Sequence, residues 1–127
     1  EVMGKDHADS FLLLESGRAD AFVMDGSILA ANAAKAKNPK DYKMVGPVLS
    51  TEPIACMLPK GDAKLKKAID DSIVRQIKDG SLAKLYHRWF MEPIPPAGVN
   101  LNMPASDGTK NAWAHPNDKP MEDYAAK

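Results

Sequence analysis

The sequence predicts an α/β fold, on three observations. Short apolar runs of strand length recur along the chain, helical stripes with capping residues lie between them, and the two alternate as far as about residue 90. With 127 residues, the chain has the length of one ordinary domain, about 100 to 150 residues.

The elements follow in order. Asp6 or Asp9 is placed to cap a helix running through Leu14 and Glu15, and Gly17 to end it in the left-handed conformation that glycine adopts cheaply. Ala19 to Met24 reads as a buried strand, and Asp25-Gly26-Ser27 as a turn that opens a helix from Ile28 to about Lys37. That helix stops at Asn38-Pro39, because the residue before proline avoids helical angles. Tyr42 to Leu49 and Ile54 to Leu58 read as strands, the first interrupted by Gly46-Pro47 and the second bounded by Pro53 and Pro59. Asp62 to about Asp79 carries Leu65, Ile69, Ile73 and Ile77 at fourfold spacing, a stripe expected to face a core. Gly80 ends this helix, and Ser81 starts another whose Leu82, Leu85, Tyr86 and Trp89 share a side until Pro93. From Pro93 onward the chain holds six of its 10 prolines, so the tail is expected to be extended and mostly irregular.

Composition excludes several functions. Lys plus Arg and Asp plus Glu are both 17, so the formal charge is zero, whereas nucleic-acid binders carry a basic excess that displaces counterions from phosphate. No nucleic-acid partner is expected. The longest apolar runs, Phe11 to Leu14 and Ile54 to Leu58, fall far short of the roughly 18 to 20 residues that cross a bilayer. The common phosphate-loop, dinucleotide, zinc and hydrolase motifs are absent, so neither a cofactor nor a metal is expected and the chain reads as no enzyme. His7, His87 and His115 lie too far apart in sequence to suggest a metal site, and the lysine clusters at 35 to 43 and 60 to 67 read as solvated surface. The single cysteine, Cys56, is either a small buried apolar residue or half of a bridge whose partner lies elsewhere.

Two residues stand out as ligand groups. Asp25 ends the apolar run Ala21-Phe22-Val23-Met24, at the strand end where open α/β sheets place their ligand crevice. It either makes the turn or caps the helix, or, if Ser27 does the capping, offers its carboxylate to a cation such as an ammonium. His7 falls in the first turn of a helix, where unpaired N–H groups favour an anion. It reads as a surface histidine or as a donor to a carboxylate.

The runs Lys5-Asp6-His7-Ala8-Asp9-Ser10-Phe11 and Leu14-Glu15-Ser16-Gly17-Arg18-Ala19-Asp20-Ala21-Phe22-Val23-Met24-Asp25 closely resemble the second lobe of the glutamate/aspartate periplasmic binding proteins of ABC transporters. Cys56-Met57-Leu58, Asp70-Asp71-Ser72-Ile73, Lys84 to Phe90, Pro93 to Pro96 and Val99 to Asn102 continue the pattern, and Pro116 to Lys119 resembles its closing motif; Ala105 to His115 departs from it. The resemblance implies a two-lobed α/β carrier, working with a membrane permease in the periplasm, that traps glutamate or aspartate between lobes closing on a hinge. It assigns His7 to the ligand's side-chain carboxylate and Asp25 to its α-ammonium. It also gives Cys56 a disulfide partner in an earlier part of the chain, so that here the thiol stays unpaired.

On this reading residues 1 to 48 belong to the second lobe, 49 to 53 form the hinge crossing, 54 to 92 return to the first lobe, and 93 to 127 are a Pro-rich tail. The chain begins Glu1-Val2-Met3-Gly4, and is read as the C-terminal part of such a protein, with most of the first lobe's N-terminal sheet missing. Its helix stripes would then lack the strands they were shaped for, and ordering costs on the order of 100 kcal/mol per hundred residues, so weak or no ligand binding is expected and, where the chain folds, self-association or domain swapping through an exposed apolar face. Two alternatives remain. One is a small interaction domain with an apolar helix face; the other is an enzyme on the same scaffold, for which no catalytic carboxylate pair is apparent.

Overall fold

The computed structural model describes residues 1 to 124. Five α-helices and two short 3-10 turns account for its regular structure: α1 (His7–Glu15), α2 (Gly26–Lys35), α3 (Ala63–Lys78), α4 (Ser81–Phe90) and α5 (Asp107–Ala114), with 3-10 turns at Pro39–Asp41 and Met121–Tyr124. The chain divides into two units, residues 1–45 with 88–104, and residues 46–87 with those from Ala105 onward.

The helix signals are met closely. The Asp6 carboxylate accepts the Asp9 backbone N–H at 2.8 Å, and the Asp62 carboxylate accepts that of Leu65 at 2.9 Å, each satisfying one orphan donor of a first turn. Gly17 follows the end of α1 at φ 69 and Gly80 follows α3 at φ 76, both in the left-handed region.

In the first unit α1, α2 and the Pro39–Asp41 turn pack together. Phe11, Leu13 and Ala30 are buried, and the Phe11 ring meets Tyr42 at 5.1 Å and Phe22 at 6.3 Å between centroids. This aromatic cluster supplies the apolar area that two short helices could not bury alone. Gly4 lies so close to α1 that a Cβ there would sit 2.5 Å from the Ser10 nitrogen. Residues 91–104 fold back on themselves: Ile94 donates to Val99 at 2.9 Å in an isolated bridge, and the Met103 N–H reaches the Phe90 carbonyl at 3.0 Å.

The second unit holds α3, most of α4 and α5. Tyr86 and Trp113 meet edge to face at 5.5 Å, and Lys66 on α3 bridges Asp70 at 2.6 Å and Asp118 at 3.0 Å. These contacts tether the tail to the two helices.

Two expectations are corrected. First, the α/β reading holds only in its helices: Ala19 to Met24, Tyr42 to Leu49 and Ile54 to Leu58 join no ladder, and no strand occurs among the described residues. A strand exists only against another strand, and these segments meet none; the backbone bonds at their ends are local, from Ala19 to the Leu13 carbonyl and from Tyr42 to that of Pro39. Second, the stripe of α3 is not core: α3 and α4 bury no residue, and Leu65 and Ile73 are 41% and 40% exposed. The tail is irregular over most of its described length, as expected, but it is not without order: Ser106 caps α5 through the Thr109 N–H at 3.1 Å and Met121–Tyr124 adds a 3-10 turn. The last three residues of the tail assigned to 93–127 lie outside the described residues. Cys56 is a free, exposed thiol, unpaired as the resemblance implies and not the buried apolar residue of the other reading.

Candidate functional site

His7 is the first residue of α1, directly after the Asp6 cap, and is exposed. The chain enters the helix through two bonds: Asp6 accepts the Asp9 N–H, and the Asp9 carboxylate accepts the Lys5 N–H at 2.8 Å. This reciprocal bonding holds the backbone on both sides of His7 while consuming the two neighbouring carboxylates. The imidazole therefore stands at a rigid helix start, beside N–H groups whose dipoles favour negative charge.

Asp25 stands at the equivalent place on the second helix. It occupies the N-cap position of α2, and its carbonyl accepts the Leu29 N–H at 2.9 Å, yet its carboxylate makes no cap bond. The sequence reading tied a free carboxylate to capping by Ser27, but Ser27 lies inside α2. The carboxylate is released by the local geometry itself. Both residues are exposed, both belong to the first unit, and both mark the beginning of helices that pack on each other.

Neither His7 nor Asp25 lines the hollow of 550 Å³ in this unit. Its walls include Lys5, Asp9, Leu12 and Glu15 from the α1 side, and Asn32 and Lys35 from α2. With Asp6 also lining it, two lysines and three acids give it mixed charge. The sequence reading missed these residues. Leu12 and Glu15, like Asn32 and Lys35, are three apart on a helix and so share a face, which is the signal that identifies them.

Tyr42, which closes the aromatic cluster beneath α1, has its phenol pushed above the usual range, first by desolvation and then by the Glu15 and Asp41 carboxylates. Among the described residues no three His, Cys, Asp or Glu side chains are grouped to hold a metal ion, and no helix is long and apolar enough to cross a membrane.

The profile of the family described as bacterial extracellular solute-binding proteins, family 3, matches residues 3–92 and so takes in both His7 and Asp25. An L-glutamate/L-aspartate-binding protein of Pseudomonas aeruginosa is 46% identical over 121 residues, 95% of this chain and 40% of its own length. A glutamate/aspartate import solute-binding protein of Escherichia coli is 45% identical over 120 residues, 94% of this chain and 40% of its own. An ABC transporter glutamine-binding protein of Bacillus subtilis is 32% identical over 88 residues, 69% of this chain and 31% of its own. The chain thus spans about 40% of the length of the first two relatives.

Proposed function

This chain belongs to the bacterial extracellular solute-binding proteins, family 3, and from that premise we propose that it is the capture component of an importer for acidic amino acids. The family carries a two-lobed, solute-binding architecture. The ligand is glutamate or aspartate, the place of work is the periplasm, and the partner is the membrane permease of an ABC transporter. Its part is binding and release, with no chemical conversion. Residues 1 to 48 contribute to the second lobe, 49 to 53 cross between lobes, 54 to 92 belong to the first, and the remainder is a tail on that lobe.

The single observation that supports this reading is the pairing of opposite chemistries at the starts of two helices that belong to one unit and pack on each other. His7 offers an N–H donor at the positive end of α1, where a side-chain carboxylate is stabilised. Asp25 offers an uncapped carboxylate, where an α-ammonium forms a short charge-assisted bond. A zwitterion with an additional acid has both groups to satisfy. With both residues exposed, ligand held by them alone stays in contact with water, so each contact is screened and binding is weak. The same exposure of apolar side chains on α3 and α4 favours self-association of the chain.

A thermal melt tests the proposal. L-glutamate or L-aspartate at millimolar concentration raises Tm by preferential binding to the folded state, and L-leucine or L-lysine leaves it unchanged. An equal rise with all four, or none with the acidic pair, rejects the carrier reading in favour of an interaction module.

A further inference from the structure

The Met103 side chain reaches the start of α2, next to Asp25. A Cβ on Gly26, the first residue of that helix, would sit 3.5 Å from the Met103 methyl, an ordinary packing distance. Met103 is half-buried in this position. Residues 88–104 belong to the same unit as His7 and Asp25.

The segment that carries Met103 is fixed by its own bonds. The chain leaves α4 at Phe90 and comes back to it, because the Met103 N–H donates to the Phe90 carbonyl at 3.0 Å, one of the groups that a helix end leaves without an intrahelical partner. Between these two points the Asn100 side-chain amide donates to the Met91 carbonyl at 2.9 Å, and its side-chain oxygen accepts the Asn102 N–H at 2.8 Å. Asn102 adopts a left-handed φ of 49, a conformation that asparagine tolerates better than most side chains do. The Met103 backbone is therefore set by the end of α4, while its side chain lies against the beginning of α2.

Asp25 has need of such support. Its carboxylate makes no cap bond, which leaves it open to a ligand but deprives the first turn of α2 of the side-chain bond that ordinarily ties down its N–H groups. Along the helix, the turn is held by the Leu29 N–H on the Asp25 carbonyl at 2.9 Å. Across it, the Met103 methyl packs at Gly26. We propose that Met103 is a positioning residue for Asp25, fixing the first turn of α2 so that the carboxylate meets the α-ammonium of a bound amino acid. The inference rests on the capture reading above, which gives the ammonium to Asp25. A charge-assisted bond depends on distance and angle, so a turn left free to shift weakens it. The ligand's side-chain carboxylate, held by His7 at the start of the other helix, is not affected.

That difference between the two ends of the ligand supplies the test. The unmodified chain, Met103→Ala and Met103→Leu are each followed by NMR, first alone and then titrated with L-glutamate and with glutarate, the same diacid without the amino group. Before ligand is added, Met103→Ala is expected to move the Gly26 and Ser27 amide signals and the Asp25 carboxyl carbon, with the Phe11 ring signals unchanged; Met103→Leu, of similar volume, is expected to move them less. In the titrations the unmodified chain and Met103→Leu are expected to prefer L-glutamate to glutarate by about threefold, the size of one exposed ion contact. Met103→Ala is expected to lose that preference while its affinity for glutarate stays the same. Unmoved signals at residues 25 to 27 in Met103→Ala overturn the proposal, and so does an equal loss of both ligands, which is what a general loosening of the unit produces. A preference for L-glutamate that survives in Met103→Ala overturns the proposal and leaves the capture reading standing. No preference in the unmodified chain removes the ammonium from Asp25, and overturns both.

Discussion

The helix pair of the first unit and α3 with α4 of the second make opposite use of their sequences. The stripe of α1 and α2 is the less regular, yet Phe11, Leu13 and Ala30 are buried there, against Phe22 and Tyr42. The stripes of α3 and α4 are the clearest in the chain, and those helices bury nothing. An amphipathic pattern states that a face requires a partner; it does not supply one. The first unit finds its partner in nearby aromatic residues, while the apolar face of the second is at most half-buried.

Paired substitutions break this comparison most decisively. Phe11→Ala empties the centre of the aromatic cluster and is expected to cost about 3 kcal/mol, seen as loss of hydrogen-exchange protection across α1 and α2. Ile73→Ala, at the middle of the more regular stripe, removes a side chain that is already in water to a large extent, and is expected to cost less than about 1 kcal/mol. Similar costs at the two positions would show that the α3 face is covered in solution. The tail provides an intermediate case. Trp113→Ala removes the edge-to-face contact with Tyr86, with an expected loss of about 1 kcal/mol and faster exchange of the α5 amides.

The smallest effect is one of pH. The Lys66 ammonium, by hydrogen bond and then by charge, holds the Asp118 carboxyl below its ordinary value of 3.8, while bonds to Asp70 and Asp118 raise Lys66 above 10.5. The depressed carboxyl contributes stability that is present above its unfolded value and is lost as pH falls through the lower folded value. The raised amine contributes stability that is present below 10.5 and is lost as pH rises through the higher folded value. The contact between the tail and α3 should therefore persist across neutral pH and loosen in strong acid and strong base. Added salt should weaken it at every pH, because both partners are exposed. Side-chain NMR shifts of Lys66 and Asp118 follow both transitions.

Local signals were legible in the sequence and long-range ones were not. Asp6, Asp62, Gly17 and Gly80 define helix ends through bonds and angles within a few residues, so α1, α3 and the break before α4 could be read directly. Ala19 to Met24 and Ile54 to Leu58 have strand composition, but pairing depends on a distant segment, and none meets them among the described residues. The six prolines obscured α5, although Ser106 with Thr109 three residues later was a readable cap. At the candidate site, chemistry was more legible than shape. The positions of His7 and Asp25 at helix starts follow from their neighbours, whereas the mixed-charge hollow depends on how α1 and α2 pack.

The most direct measurement is an NMR titration of the isotopically labelled chain with L-glutamate at millimolar concentration. The account predicts saturable shifts of the His7 ring and of the backbone amides at the starts of α1 and α2. His7→Ala and Asp25→Asn should each abolish them, while the Phe11 ring signals continue to report an intact first unit. Saturable shifts confined to the hollow between Lys5 and Lys35, unchanged by either substitution, would contradict it.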